Sequence, residues 1–319
     1  MNESSASRIG IDLGGTKTEI VVLEPAGTIC YRQRLPTPGG NYDATLQVIA
    51  DLVLQATAAC GLAADLPVGI GTPGTVSRKT GMMKNCNSTA LNGKPLIDDL
   101  QSLLQRPVRI ANDADCFALS EASDGAGADY TSVFGVILGT GAGGGLVYQR
   151  QLLQGVNGIS GEWGHNTLPT QAFCADPDDL LPAPAASPRD CYCGRRDCIE
   201  QWVCGPGFER SYTLLTGESV KAEVISARHQ AGQTEATATL RNYANLLALS
   251  LATVINIVDP DCIVLGGGLS NIQALYRLLP DYLPNYVFSD QVDTRIVPAK
   301  FGDSSGVRGA AWLWPGAPV

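Results

Sequence analysis

"RIGIDLGGTKTEIVVLEPAGTICYRQRL" (residues 8–35) alternates apolar runs with two glycine-containing turns, a pattern that predicts three strands in series. A second stretch, "SVFGVILGTGAGGGLVYQRQLLQG" (132–155), repeats the order strand, glycine turn with Thr, strand, turn. Setting "GIDLGGTKTEIVVL" (10–23) against "GVILGTGAGGGLVY" (135–148) suggests an internal duplication, so two related α/β halves are expected.

Between and beyond these stretches the elements alternate. Leu46, Ile49, Ala50, Val53 and Leu54 recur at helical spacing and predict a helix over 43–60. "PVGIGTPG" (67–74) reads as a buried strand running into a turn. "PVRIANDADCFALSEA" (107–122) reads as strand, turn and a helix that begins near Asn112. Helices are expected near 206–215, 220–231 and 236–257. "DCIVLGGGLSN" (261–271) is a further buried strand ending in glycines before a helix, and "DSSGVRGAAWLW" (303–314) is a last helix capped by Asp303 or Ser304. The Pro-, Ala- and Asp-rich residues 169–190 read as a surface loop.

At 319 residues the chain has room for two domains, and 45% apolar with 17% charged residues is a globular composition. A formal charge of −9 argues against a nucleic-acid partner, because phosphate contacts need Lys and Arg in surplus. The longest apolar stretch, Leu246–Val258, is interrupted by Ser250, Thr253 and Asn256 and is too short to span a bilayer. No signal peptide is visible ahead of the first strand, and Cys30, Cys60, Cys86, Cys116 and Cys262 read as reduced, mostly buried thiols of a cytoplasmic protein.

The glycine turns carry the first chemical signal. "GGTK" (14–17) fails as a P-loop because Thr16 stands between Gly and Lys and a strand follows. "GTGAGG" (139–144) fails as a dinucleotide fingerprint for the same reason: "GLVY" continues as a strand. What remains is two hairpin turns with Gly and Thr. One alone is as well explained by a tight turn. Two matched turns plus the cluster Gly266–Gly268 favour phosphate and nucleotide binding through backbone N–H groups.

Asn112 and Asp113 stand where a strand hands over to a helix. Either residue suits a helix cap, and Asp113 also suits a general base, since a cap carboxylate points at whatever binds there. Asp12, at the end of the first strand, is placed to orient hydrated magnesium or is simply a polar strand end. "CYCGRRDC" (191–198) sets Cys191, Cys193 and Cys198 close enough to share one metal ion. His165, in "GEWGHN", completes a Cys₃His set of the kind zinc favours, with Cys174 or Cys204 as alternative fourth ligands. Glu162 and Glu200 adjoin these ligands. A structural zinc, whose apparent binding energy is about 10–16 kcal/mol, would brace both carboxylates on one side of a hydroxyl-rich ligand pocket.

In order, "IGIDLGGTKTE", "GIGTPG", "ANDAD", "LGTGAGGG", "GEWGH", "CYCGRRDCIE", "VLGGG" and "GDSSGVRGAAWL" resemble the ROK sugar kinases over nearly the whole chain. "KNCNSTALNGKPL" and "GDSSGVRGAAWLWP" look most like the bacterial fructokinase (manno-fructokinase) branch. The resemblance implies a duplicated actin-like (ribonuclease H-like) ATPase fold of two domains with an interdomain cleft. Residues 1–116 plus 304–319 would form the smaller domain and 117–303 the larger.

It implies Mg-ATP and a structural zinc as cofactors, and phosphorylation of the 6-hydroxyl of fructose or mannose with Asp113 as base. Asn112, Glu162, His165 and Glu200 would bind the sugar, with Asn87 and the Thr72–Gly74 turn. Gly14, Gly15, Thr16 and Lys17, then Gly139, Thr140, Gly141, Gly143 and Gly144, would take the ATP phosphates. Gly266, Gly267 and Gly268 would lie near the adenosine. An N-acetylhexosamine or glucose kinase is the alternative, and a homodimer is expected. The family also includes repressors, but only seven residues precede Arg8, too few for a helix-turn-helix module; a zinc hydrolase would need an open coordination position. One departure is Asp197, where the family usually has Gly; Asp tolerates positive φ better than most residues, so the metal site is expected to survive.

Overall fold

A computed structural model describes residues 7–86, 88–176 and 179–314. In chain order the strands and helices are β1 (Arg8–Leu13), β2 (Lys17–Leu23), β3 (Ile29–Pro36), α1 (Tyr42–Cys60), β4 (Val68–Thr72), β5 (Thr75–Val76), β6 (Met83–Lys84), α2 (Leu96–Leu104), β7 (Val108–Asn112), α3 (Asp113–Ser123), β8 (Ser132–Leu138), β9 (Ala142–Tyr148) and β10 (Gln151–Leu152). They continue with α4 (Glu200–Val203), α5 (Gly205–Thr216), α6 (Ala222–Gln230), α7 (Thr234–Val258), β11 (Cys262–Gly266), α8 (Leu275–Tyr282), β12 (Arg295–Pro298) and α9 (Ser305–Trp312).

The chain forms two compact units. The first runs to Asp129 and takes up Gly145–Ser160 and the chain from Lys300; the second comprises Tyr130–Gly144 and Gly161–Ala299. The expected boundary after Cys116 falls inside α3. The whole helix stays with the first unit because it packs tightly on α9, where a Cβ at Gly309 would meet Cys116 O at 1.6 Å.

In the first unit the sheet order is β3-β2-β1-β4-β7, with β1 antiparallel to β2 and parallel to β4, and β4 parallel to β7. Both faces are covered, as a parallel core requires. On one side Ile9, Ile11, Ile20, Val22, Val68 and Ile70 pack with Ile49, Leu52 and Val53 of α1 and Leu100 of α2. On the other, Val21 and Leu23 meet Val307 and Ala311 of α9. That helix lies close because β4 presents Gly69, where a Cβ would approach Ala310 O to 1.8 Å.

The second sheet has the order β10-β9-β8-β11-β12, with β11 parallel to both β8 and β12. The two orders correspond strand for strand, hairpin at one end and parallel strands at the other, as the expected duplication requires. α7 is buried along most of its length, and Tyr243 on it donates to Val203 O at 2.7 Å. Among the described residues no helix is long and apolar enough to cross a membrane.

Three expectations need correction. Residues 169–190 are more than a surface loop: Leu181, Pro184 and Arg189 are buried, and Arg241, Asn242 and Asn245 of α7 hold Asp176, Asp179 and Cys174 O at 2.6–2.8 Å. Ser304 makes no side-chain capping bond, because the turn Gly302–Ser304 runs directly into α9; the Asp303 side chain lies outside the described set. Cys30 is exposed rather than buried.

Candidate active site and metal centre

In the first unit the β1–β2 turn is closed by Gly14 N–H donating to Lys17 O at 3.0 Å and by the Thr37 hydroxyl donating to Gly14 O at 2.8 Å. Gly15, Thr16 and Lys17 are exposed at its tip, and Gly15 and Thr16 border a cavity of about 420 Å³. β7 delivers Asn112 as the true cap of α3, its Oδ1 accepting from Asp115 N–H at 2.6 Å. That leaves the Asn112 amide nitrogen to meet a ligand.

Asp113 follows as the first helical residue, open to solvent, with Oδ1 accepting from Ala114 N–H at 2.9 Å. The surrounding protein withdraws water from its carboxyl and raises its pKa despite that bond. Asp12 is half-buried; desolvation first, then the negative charge of Asp113, push it up to about 6. Two carboxyls that resist joint ionisation suit a site that takes up a proton and a cation. Thr72 is fully buried and donates its hydroxyl to Gly74 O at 3.1 Å, so it shapes the turn rather than presenting the hydroxyl to a ligand. Asn87 lies outside the described residues.

In the second unit the β8–β9 turn borders a cavity of about 700 Å³, a size suited to a nucleotide. Gly139, Thr140 and Gly268 line it, together with residues that the sequence reading passed over: Pro206, Glu209, Lys221 and Asn271. The overlooked signal was "GPG" (205–207), a glycine-rich helix start. Gly205 N–H donates to Gly139 O at 2.7 Å and so joins the start of α5 to the turn. Gly141 faces Glu200, where a Cβ would come within 2.6 Å of Oε2; the same oxygen accepts from Ala142 N–H at 3.0 Å. Gly144 packs under Trp163, whose indole N–H donates to Gly143 O, so Gly143 and Gly144 serve packing more than ligand contact. Gly266 is buried in β11, and Gly267 (φ 80) turns the chain out of it.

His165, Cys191, Cys193 and Cys198 converge until their ligand atoms all lie within 4.8 Å of one another. Cys191 Sγ is 3.7 Å from His165 Nδ1 and Cys193 Sγ is 3.5 Å from Cys198 Sγ. A tetrahedral zinc with 2.3 Å bonds to sulfur has edges of about 3.8 Å, so the donor set fits that ion. His165 Nε2 lies 2.8 Å from the Tyr192 hydroxyl, so Nδ1 is the ring nitrogen that faces the cysteines and can bind metal. The backbone N–H of Arg195 is the largest influence pulling the Cys193 thiol down, to about 6. Burial and the neighbouring thiols push Cys198 up, a penalty that direct ligation of a cation reverses.

Neither alternative fourth ligand is in place: Cys204 Sγ accepts from Gly207 N–H as the cap of α5, and Cys174 lies exposed on the 169–190 segment. Asp197 has φ 54, the left-handed conformation expected of the Gly it replaces. Glu162 opens the short turn Trp163–His165 and is exposed, while Glu200 opens α4 two residues after Cys198.

Two corresponding five-stranded sheets, each with a glycine turn beside a cavity, define the actin-like class of ATPase fold. The chain belongs to the ROK family, whose model matches residues 8–317. It is 42% identical over 305 residues to the N-acetyl-D-glucosamine kinase of Pectobacterium atrosepticum, covering 95% of this chain and 97% of that one. It is 41% identical, with the same coverage, to the N-acetyl-D-glucosamine kinase of Yersinia pseudotuberculosis. The ROK hexokinase structure from Thermus thermophilus superposes with a TM-score of 0.82 at 27% identity, covering 97% of each chain. These relatives favour the N-acetylhexosamine alternative over the fructokinase branch.

Proposed function

We propose that this protein is an ATP-dependent kinase that phosphorylates the 6-hydroxyl of N-acetyl-D-glucosamine. The observation that carries the reading is 41–42% identity to N-acetyl-D-glucosamine kinases across 95% of the chain. The site geometry is consistent with it. Asp113 accepts the proton of O6 as that oxygen bonds to the γ-phosphorus, the bond to the bridging oxygen breaks, and ADP leaves. A carboxyl with a raised pKa is a better proton acceptor than an ordinary aspartate. The turns at Gly14–Lys17 and Gly139–Gly141, exposed at Gly15–Lys17 and at Thr140, offer backbone N–H groups to the phosphates, and the 700 Å³ cavity takes the nucleoside. Asp12 would hold hydrated magnesium, which supplies charge neutralisation at the transferring phosphoryl group.

His165, Cys191, Cys193 and Cys198 would hold a structural zinc. With four protein ligands it would have no open position for substrate and would brace Glu162 and Glu200, which accept hydrogen bonds from hydroxyls of the sugar. The homodimer implied by the family resemblance is part of the same proposal.

The test is product identity. The purified protein with Mg-ATP and N-acetyl-D-glucosamine should yield ADP and a 6-phosphomonoester in equal amounts, read by ³¹P NMR and mass spectrometry. ADP without phosphosugar, or phosphate on another hydroxyl, would contradict the assignment.

A further inference from the structure

We propose that Arg189 is a positioning residue that locks the segment carrying Glu200 in register with the metal loop; this role rests on the kinase reading above. Arg189 stands two residues ahead of Cys191 and is 2% exposed, whereas Arg195 and Arg196 within the loop are exposed. Its guanidinium meets carbonyls and a hydroxyl rather than a carboxylate. Nη1 donates to Gln201 O at 2.7 Å and to Gly207 O at 3.0 Å, Nη2 donates to Ser211 Oγ at 2.9 Å, and the plane stacks 3.8 Å from the Trp202 ring centroid.

The backbone of the same residue is tied to the far end of the metal loop. Arg189 N–H donates to Asp197 Oδ1 at 2.8 Å, and Asp197 N–H returns a bond to Arg189 O at 2.8 Å. Asp197 O in turn accepts from Leu168 N–H at 2.7 Å, which brings in the segment that carries His165. Arg189 therefore holds the loop by its main chain and the α4–α5 junction by its side chain.

The carbonyls it holds adjoin the functional contacts: Gln201 follows Glu200 directly, and Gly207 lies two residues after Gly205. Between Glu200 and Gly207 the chain touches the β8–β9 turn twice, through Glu200 Oε2 to Ala142 N–H and through Gly205 N–H to Gly139 O. A buried cation without a paired anion is a costly way to fill space, and an apolar side chain of similar volume serves stability as well. What only a planar guanidinium supplies is a fixed fork that reaches two carbonyls and a hydroxyl while stacking on an indole. A lysine reaches fewer of these partners and cannot hold the junction in one orientation.

The test compares wild type with Arg189→Lys and, as a separate volume control, Arg189→Met. Expected for Arg189→Lys is a full complement of metal, a cooperative thermal transition, and KM for N-acetyl-D-glucosamine raised by about tenfold, the loss of one or two charge-assisted hydrogen bonds. KM for Mg-ATP should rise by a smaller factor, about threefold, because Gly205, Pro206 and Glu209 on the junction that Arg189 holds line only part of the nucleotide cavity. A purely structural arginine would lower the melting temperature and leave the sugar KM of the folded protein unchanged; that result would overturn the role. Metal content falling in step with activity would overturn it too, since the effect would then be loss of the brace. An Arg189→Met protein that folds, keeps its metal and matches wild type in sugar KM would do the same. A wild-type protein inert toward every hexose would overturn the kinase reading and this role together, whereas an active wild type matched by Arg189→Lys would overturn this role alone.

Discussion

The two units share one strand order and solve different problems with it. In the first, β7 ends and the capped helix α3 begins at Asp113, while β1 carries Asp12 near its end before the turn into β2. In the second, the described residues of the segment from Gly161 to Ile199 form three short 3₁₀ turns and two isolated bridges, yet they carry Glu162, His165, Cys191, Cys193 and Cys198. A sheet flanked by helices positions Asp12 and Asp113 through buried apolar contacts. The irregular segment has few regular elements and is held by the side chain of Arg189 and by contacts within the His165, Cys191, Cys193 and Cys198 cluster. The duplicated frame therefore supplies the glycine turns twice, while each unit positions its remaining candidate residues by a different physical route.

The contrast can be broken first at Asp113. Asp113→Asn should lower kcat by about 10²–10⁴-fold, the usual contribution of a general base, with an unchanged melting transition. Survival of most of kcat would remove the chemistry from the first unit. Next, Cys193→Ser or treatment with a strong chelator should abolish sugar-dependent turnover and destabilise the second unit, while the first unit's sheet core does not depend on metal. Metal analysis, turnover and hydrogen exchange by mass spectrometry, read together, check this; uniform protection in the metal-free protein would show that the loop needs no brace. Glu200→Gln should raise the sugar KM by about 10–100-fold, since a charge-assisted hydrogen bond is replaced by a neutral one.

The pH profile sharpens the comparison further. Asp113 has a raised pKa and must be ionised to accept a proton, so kcat/KM should fall as pH drops through a value above the ordinary aspartate range near 4. Asp12 near 6 should make the magnesium requirement steeper on the same acid side, and Asp113→Asn should move that dependence to lower pH by removing the repelling charge. The smallest effect is expected at Asp197→Gly. The loss of one hydrogen bond, about 0.5–1.5 kcal/mol, is partly offset because Gly adopts φ 54 without strain.

Much of the frame was legible because its signals are local. The apolar runs at 8–35 and 132–155, the cap at Asn112 and the Cys191, Cys193 and Cys198 spacing are each written in short windows, and short windows report period and turn chemistry well. β12 and α2 were missed because their burial is set by distant partners, Ile296 pairing beside Ile263 and Leu100 packing under β4. The nucleotide-sized cavity was half legible: its glycines carry a pattern, but Glu209, Lys221 and Asn271 come from three separate elements and share no spacing. Thr72 and Gly144 show the converse limit. Their neighbours have the composition of ligand contacts, yet the fold turns one inward to Gly74 O and places the other beneath an indole. The preferred sugar was the least legible feature, because it depends on a few contacts whose geometry a motif does not encode.

The most direct measurement is kcat/KM for ADP release from Mg-ATP with N-acetyl-D-glucosamine, fructose, mannose and glucose, each assayed separately on the metal-replete protein. The account predicts the highest value for N-acetyl-D-glucosamine. Highest efficiency with fructose would contradict the proposed substrate while leaving Asp113 and the metal brace in place, and no ADP with any of the four would contradict the kinase assignment itself.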